Sequence, residues 1–164
     1  IAYWSVGFQP IAECFGVFLA CLISFAAVAG SLFMCIGAFS PNVQIAQIFS
    51  PLITVLFMLF GGFYVNVDNI PKYYYPLYYL SFFNYGFEIL CYNEFNGWGN
   101  PLQFTCSDAS SVCVQNGNQE LALLGYSDVT NQTILNDFII LWSMVIGYRL
   151  IAYIALRFLF KEKR

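Results

Sequence analysis

Few residues in this chain could carry chemistry, and they are scattered. There is no histidine, which removes the commonest metal ligand and the commonest general base. No Gly-rich loop ends in Gly-Lys-Ser/Thr, and the Gly61-Gly62 pair sits in apolar sequence. No Ser-His pair, metal-ligand cluster or group of catalytic carboxylates stands out. Cys106 and Cys113 lie seven positions apart in a polar stretch, and an oxidising compartment would favour a disulfide between them. Asn131-Gln132-Thr133 is an N-glycosylation sequon. Glu88 and Arg149 are charges in apolar surroundings, which are costly in a membrane and often functional.

The elements around these residues are membrane elements. From Cys14 to Val67 no side chain is charged. A helix needs about 20 mostly apolar residues to cross a bilayer, so this run holds two crossings folded at Ser40-Pro41-Asn42. Hydrophobic residues make up 60% of the chain and charged residues 9%, well below the share in a soluble domain. Mean hydropathy is +0.68. The 18 Phe suit the lipid core and the 12 Tyr suit its interface. The net charge of −3 decides little, because the charges are unevenly placed.

The first span is expected over 11–39. Its small residues pair at four-residue spacing, Ala20 with Ser24 and Ala26 with Gly30, and predict a face that packs on a neighbouring helix. The second span is expected over 43–65, with Pro51 bending it and Gly61-Gly62 loosening its end. Residues 66–133 form a long connection. Its Tyr-rich part, Ile70 to Tyr92, is too short in its charge-free portion to cross, and predicts an interfacial or re-entrant segment. Asn96 to Thr133 is rich in Gly, Asn, Ser and Asp and reads as a loop outside the membrane. The last span is expected over 134–160, with a cytosolic tail at 161–164. Residues 1–10 read as the end of an earlier helix and an outer loop.

Five of the six basic residues lie at or after Arg149, so the positive-inside rule puts the C-terminus in the cytosol and the long loop outside. Cys14, Cys21, Cys35 and Cys91 then lie in or near the membrane as small apolar packing residues. Arg149 lies roughly 12 Å deeper along its helix than Arg157. It either snorkels to the headgroups or faces protein in an ion pair. Glu88 reads as a structural hydrogen-bonding group or as part of a path or gate. The chain does not begin with Met and reads as the C-terminal piece of a larger protein.

An ordered series of motifs resembles a known family. It runs Leu59-Phe60-Gly61-Gly62-Phe63-Tyr64-Val65-Asn66, Ile70-Pro71, Tyr79-Leu80-Ser81, Tyr85-Gly86-Phe87-Glu88 and Asn93-Glu94-Phe95. It ends with Tyr148-Arg149-Leu150-Ile151-Ala152-Tyr153 and Leu156-Arg157. Together these resemble the G subfamily of ATP-binding cassette transporters, the White-type half-transporters. The resemblance implies an all-α membrane domain: the end of the third helix, then the fourth, fifth and sixth. An outer re-entrant hairpin containing Tyr85 and Glu88 would follow the fifth helix, under a disulfide-bearing extracellular loop. It implies a preceding nucleotide-binding domain using ATP and Mg, and a second half-transporter as partner in a homo- or heterodimer. The substrate cavity would lie on the dimer axis, with Val55 and Met58 facing it and Phe63 and Tyr64 plugging its outer end. Cys106 and Cys113 fit the family's intrachain outer disulfide.

The reading is thus the C-terminal half of the membrane domain of an ATP-driven transporter of lipids, sterols or other amphipathic molecules. It would sit multi-pass in the plasma membrane or an endomembrane. No cofactor is expected in this chain and no nucleic-acid partner. The rivals are a tetraspan-like scaffold, which would carry a Cys-Cys-Gly absent here, and a membrane-embedded enzyme, for which no catalytic group is evident.

Overall fold

The computed structural model describes residues 2–8, 10–61, 72–97, 101, 103, 116–126 and 129–159. Within them the chain is helical, apart from an isolated bridge between Gln103 and Asn116. α1 (Ala2–Val6) is a short lead-in, α2 (Ala12–Phe39) and α7 (Asn131–Leu159) are long and apolar, and α3 (Val43–Leu59) is shorter. A 3-10 turn (Lys72–Tyr74) leads into α4 (Tyr75–Leu80), α5 (Phe82–Phe95) follows, and α6 (Gly117–Leu123) lies in the polar stretch before α7.

α2 and α7 form the main seam. Most buried residues of α2 fall in two series of period seven, Cys14, Cys21, Val28 and Cys35, and Ser24, Ser31 and Ala38. α7 answers with Ile134, Leu141, Val145, Ala152 and Ala155. A seven-residue repeat keeps one stripe facing a partner helix at a shallow crossing angle. Small side chains on both faces let the backbones approach where lipid supplies no hydrophobic drive. Ser24 and Ser31 direct their hydroxyls to their own helix, onto the carbonyls of Ala20 and Ala27 at 2.8 Å, so neither hydroxyl is stranded in the seam.

The expected small-residue pairs lie only partly on this stripe. Ser24 is buried, but Ala20, Ala26 and Gly30 point away from the rest of this chain, and a Cβ on Gly30 would meet nothing within 4 Å. The four membrane cysteines are free and buried, as packing residues should be.

α3 has 17 residues and spans roughly 26 Å. It ends earlier than expected, with Leu59 followed by Phe60 as its cap. Gly61 marks a close approach: a Cβ there would fall 2.5 Å from that of Phe83. The glycine therefore lets α5 pack against the end of α3. Pro51 lies inside the helix. Ser50 and Thr54 on either side bond back to the carbonyls of Ala46 and Ser50 at 2.7 and 2.8 Å.

The Tyr-rich segment is two helices broken at Ser81, whose extended backbone (ψ 114°) ends α4 and caps α5. α5 lies against both α2 and α7 and carries much of the core through Phe82, Tyr85, Ile89, Cys91 and Tyr92. The polar stretch after it is not all loop. α6 buries Leu121, and Gly117 lies so close to the Phe95 carbonyl that a Cβ would collide with it.

Candidate functional site

The two expected cavity residues of α3 lie on different surfaces. Val55 is 51% exposed and borders an open groove of about 540 Å³ with Phe33, Gln47, Ser50, Pro51 and Thr54. Met58 lines a separate, partly open pocket of about 200 Å³ with Phe25, Gly61, Phe83, Phe87 and Leu90. Among the described residues of α3 only Phe57 is buried. Ile48, Leu52, Val55 and Leu59 are all exposed, an apolar face that no other described residue covers. Phe63, Tyr64, Cys106 and Cys113 lie outside the described residues.

Asn131 opens α7 and is exposed. Its Oδ1 accepts a 2.6 Å hydrogen bond from the Tyr92 hydroxyl, tying the start of α7 to α5. Thr133 accepts from the Thr130 backbone N–H at 3.2 Å, so the sequon's own hydroxyl helps to cap the helix. Arg149 is exposed, and its Nε donates to Ser31 Oγ at 3.3 Å. It faces protein through a hydrogen bond to a hydroxyl, where the sequence had pointed to snorkelling or an ion pair.

Tyr85 is buried and Glu88 half-buried on α5, near polar groups of α4, α7 and the α6–α7 link. Tyr85 donates to the Tyr79 carbonyl at 3.1 Å. Burial pushes the Glu88 carboxyl up to about 7, because the charged form is poorly solvated there. Tyr126 joins these groups through a helix-ending turn. Gly125 takes φ 89°, and the N–H groups of Gly125 and Tyr126 return to the carbonyls of Ala122 and Leu121 at 3.2 and 2.8 Å. That left-handed step favours glycine and turns Tyr126 inward over Leu121. Burial pushes the Tyr126 phenol up, and the nearby Tyr78, Glu88, Cys91 and Asp137 reinforce the shift. Burial likewise pushes Tyr78 up to about 12, while a hydrogen bond from Asn84 opposes the shift.

Sequence reasoning missed three of these polar groups: Asn84, Tyr126 and Asp137. Asp137 carried a signal, since an acidic residue inside an apolar span is rare and marks a site by default. Asn84 and Tyr126 carried none, because their burial depends on how α5 and α6 dock.

These features define a helical membrane domain with a polar core and an unpartnered apolar face. A family model described as ABC-2 type transporter matches residues 1–95. ABC transporter G family member 24 of Dictyostelium discoideum is 34% identical over all of this chain and 14% of its own length. Protein white of Ceratitis capitata is 33% identical over 95% of this chain and 22% of its own. The broad substrate specificity ATP-binding cassette transporter of Bos taurus is 29% identical over 98% of this chain and 25% of its own. The chain belongs to the ABC-2 type transporter family, and it is similar to the membrane portion of G-family and White transporters. It spans a quarter or less of the length of these three relatives.

Proposed function

We propose that this chain is the C-terminal half of the membrane domain of an ATP-driven G-type transporter, and that the whole protein moves amphipathic molecules, lipids or sterols among them, by alternating access. The observation that carries the reading is the family match over residues 1–95. The bovine relative's broad substrate range suits an apolar cavity but does not choose a substrate. ATP and Mg would bind a nucleotide-binding domain elsewhere in the polypeptide.

A second half-transporter would cover the apolar face of α3, and the groove beside Val55 would then open toward the shared axis. Met58, in a separate cavity against α5, would act on the cavity wall through packing. Phe63 and Tyr64 would close the cavity on its outer side, and Cys106 and Cys113 would staple the outer loop. α4 and α5, broken at Ser81, would form the outer re-entrant hairpin. The C-terminus would lie in the cytosol and Asn131 outside, in the plasma membrane or an endomembrane.

The test is the full-length protein in liposomes. ATP should drive movement of a fluorescent lipid analogue, and a double Phe63→Ala, Tyr64→Ala variant should assemble but lose proportion between ATP turnover and transport. A protein that neither hydrolyses ATP nor moves the probe overturns the transporter. A double variant with unchanged transport and unchanged turnover removes the gate.

A further inference from the structure

α3 carries a polar strip along an open groove. Gln47, Ser50 and Thr54 stand three and four positions apart, so they share one helix face. With Phe33, Pro51 and Val55 they line the groove of about 540 Å³, a volume in the range of small-molecule sites. Polar side chains inside a membrane are expensive, so a strip of them on a groove wall calls for a polar partner.

The strip accepts hydrogen bonds far more readily than it donates them. The Ser50 hydroxyl donates to the Ala46 carbonyl at 2.7 Å, and the Thr54 hydroxyl to the Ser50 carbonyl at 2.8 Å. A hydroxyl has one hydrogen and two lone pairs, so each oxygen keeps only acceptor capacity. Turning either hydrogen toward a ligand would break a bond already made. Pro51 adds a third acceptor. It has no N–H, so the Gln47 carbonyl, four residues earlier, loses the donor that a regular helix supplies. Among the side chains lining the groove only Gln47 retains hydrogens to donate. None of them is charged, and a wall without a cation has nothing to hold an anion.

Resting on the reading of this groove as one wall of a transport cavity, we propose that Gln47, Ser50 and Thr54 form the subsite that selects the head group of the transported molecule. The strip takes an amphipathic molecule whose head donates hydrogen bonds through O–H or N–H and bears no negative charge. The lone pairs of Ser50 and Thr54 and the Gln47 carbonyl receive those donors, over about 10 Å of helix. The apolar body lies against Phe33 and Val55. A carboxylate head sets acceptors against acceptors, and its charge loses solvation without gaining a partner. Selection thus comes from mismatch with the wrong head as much as from contacts to the right one.

The experiment uses the full-length protein, in nanodiscs for binding and in liposomes for ATP-driven transport. Three fluorescent probes share one chain and differ at the head: a primary alcohol, its methyl ether and a carboxylate. The wild type should bind and move the alcohol roughly 3- to 10-fold better than the ether, the worth of one hydrogen bond, and the carboxylate least. A Ser50→Ala, Thr54→Val variant removes both oxygens and leaves the helix carbonyls their backbone donors. It should bring the alcohol down to the level of the ether. Partition of each probe into lipid is the same for both proteins, so the change between them belongs to the strip. Ser50→Thr combined with Thr54→Ser keeps both oxygens and should keep the preference. An ether handled as well as the alcohol, a preference for the carboxylate, no binding of any probe, or a preference that survives loss of both oxygens overturns the subsite, whether or not transport occurs. Binding that favours the alcohol through Ser50 and Thr54, with no ATP-driven movement of any probe, overturns the transporter and leaves the subsite standing.

Discussion

The Ser81 hydroxyl donates a 2.7 Å hydrogen bond to the carbonyl of Phe57, in the last turn of α3. That carbonyl needs an outside partner. Phe60 N–H bonds to Leu56 and Gly61 N–H to Met58, so the helix skips Phe57 as it ends. Ser81 is fully buried and also forms the break between α4 and α5. One side chain thus ends a helix, starts another and joins them. Ser81→Ala should cost about 1–3 kcal/mol, the penalty for a buried acceptor left unpaired. It should lower the thermal midpoint of the full-length protein, and an unchanged midpoint would show that the bond is dispensable.

Gly61 and Gly30 make a matched pair of tests. A methyl on Gly61 meets the Cβ of Phe83 at 2.5 Å, and a side-chain root cannot swing aside. Gly61→Ala should push α5 off the end of α3 and destabilise by about 1–3 kcal/mol, as overpacking does. Gly30 meets nothing within 4 Å, so Gly30→Ala should be neutral or slightly stabilising for the fold of this chain. Equal effects in a thermal-shift comparison would contradict both assignments. A loss at Gly30 alone would place a further helix against that face.

The contrast between those glycines marks how far the sequence was legible. The charge-free run from Cys14 to Val67 was enough to locate α2 and α3, because crossing a bilayer is a demand on length and polarity alone. Which face of α2 packs was not legible from small-residue pairs. The stripe through Cys14, Cys21, Val28 and Cys35 is chosen by α5 and α7, far along the chain. α6 escaped notice because Gly117 and Asn118 read as turn residues, while Leu121, Leu124 and Tyr126 carried the apolar signal. Tyr85 and Glu88 were singled out, but Asp137, buried near the start of the last span, was passed over, because its burial belongs to the docking of α7.

Glu88 gives the fold a pH dependence of known sign. Its carboxyl is raised from 4.5 to about 7 by burial, so the folded protein holds that proton more tightly than the unfolded chain. The stabilisation is complete below the ordinary value and is lost as pH rises through about 7. The thermal midpoint of the full-length protein should therefore fall between mildly acidic and mildly alkaline buffer. Glu88→Gln removes the titration and should flatten the profile. A wild-type midpoint that rises over the same interval would mean the carboxyl is better solvated than its surroundings indicate.

Cys106 and Cys113 provide the last test, and it bears on the compartment of the loop. The four cysteines of the helical core are buried and free, and burial pushes the Cys91 thiol up to about 12. A thiol so far from its thiolate is a poor nucleophile, so exchange with the outer pair is disfavoured. Cys106 and Cys113 should therefore pair with each other if the polar stretch faces an oxidising compartment. Closing a loop that short is worth roughly 2–3 kcal/mol in the chain-entropy account. Mass mapping of non-reduced peptides from the mature protein should recover the linked pair. A Cys106→Ser, Cys113→Ser variant should then lower the thermal midpoint of the full-length protein while leaving the α2–α7 seam protected from hydrogen exchange. Free thiols at both positions in mature protein would reverse the assigned orientation, because a loop kept reduced belongs on the cytosolic side.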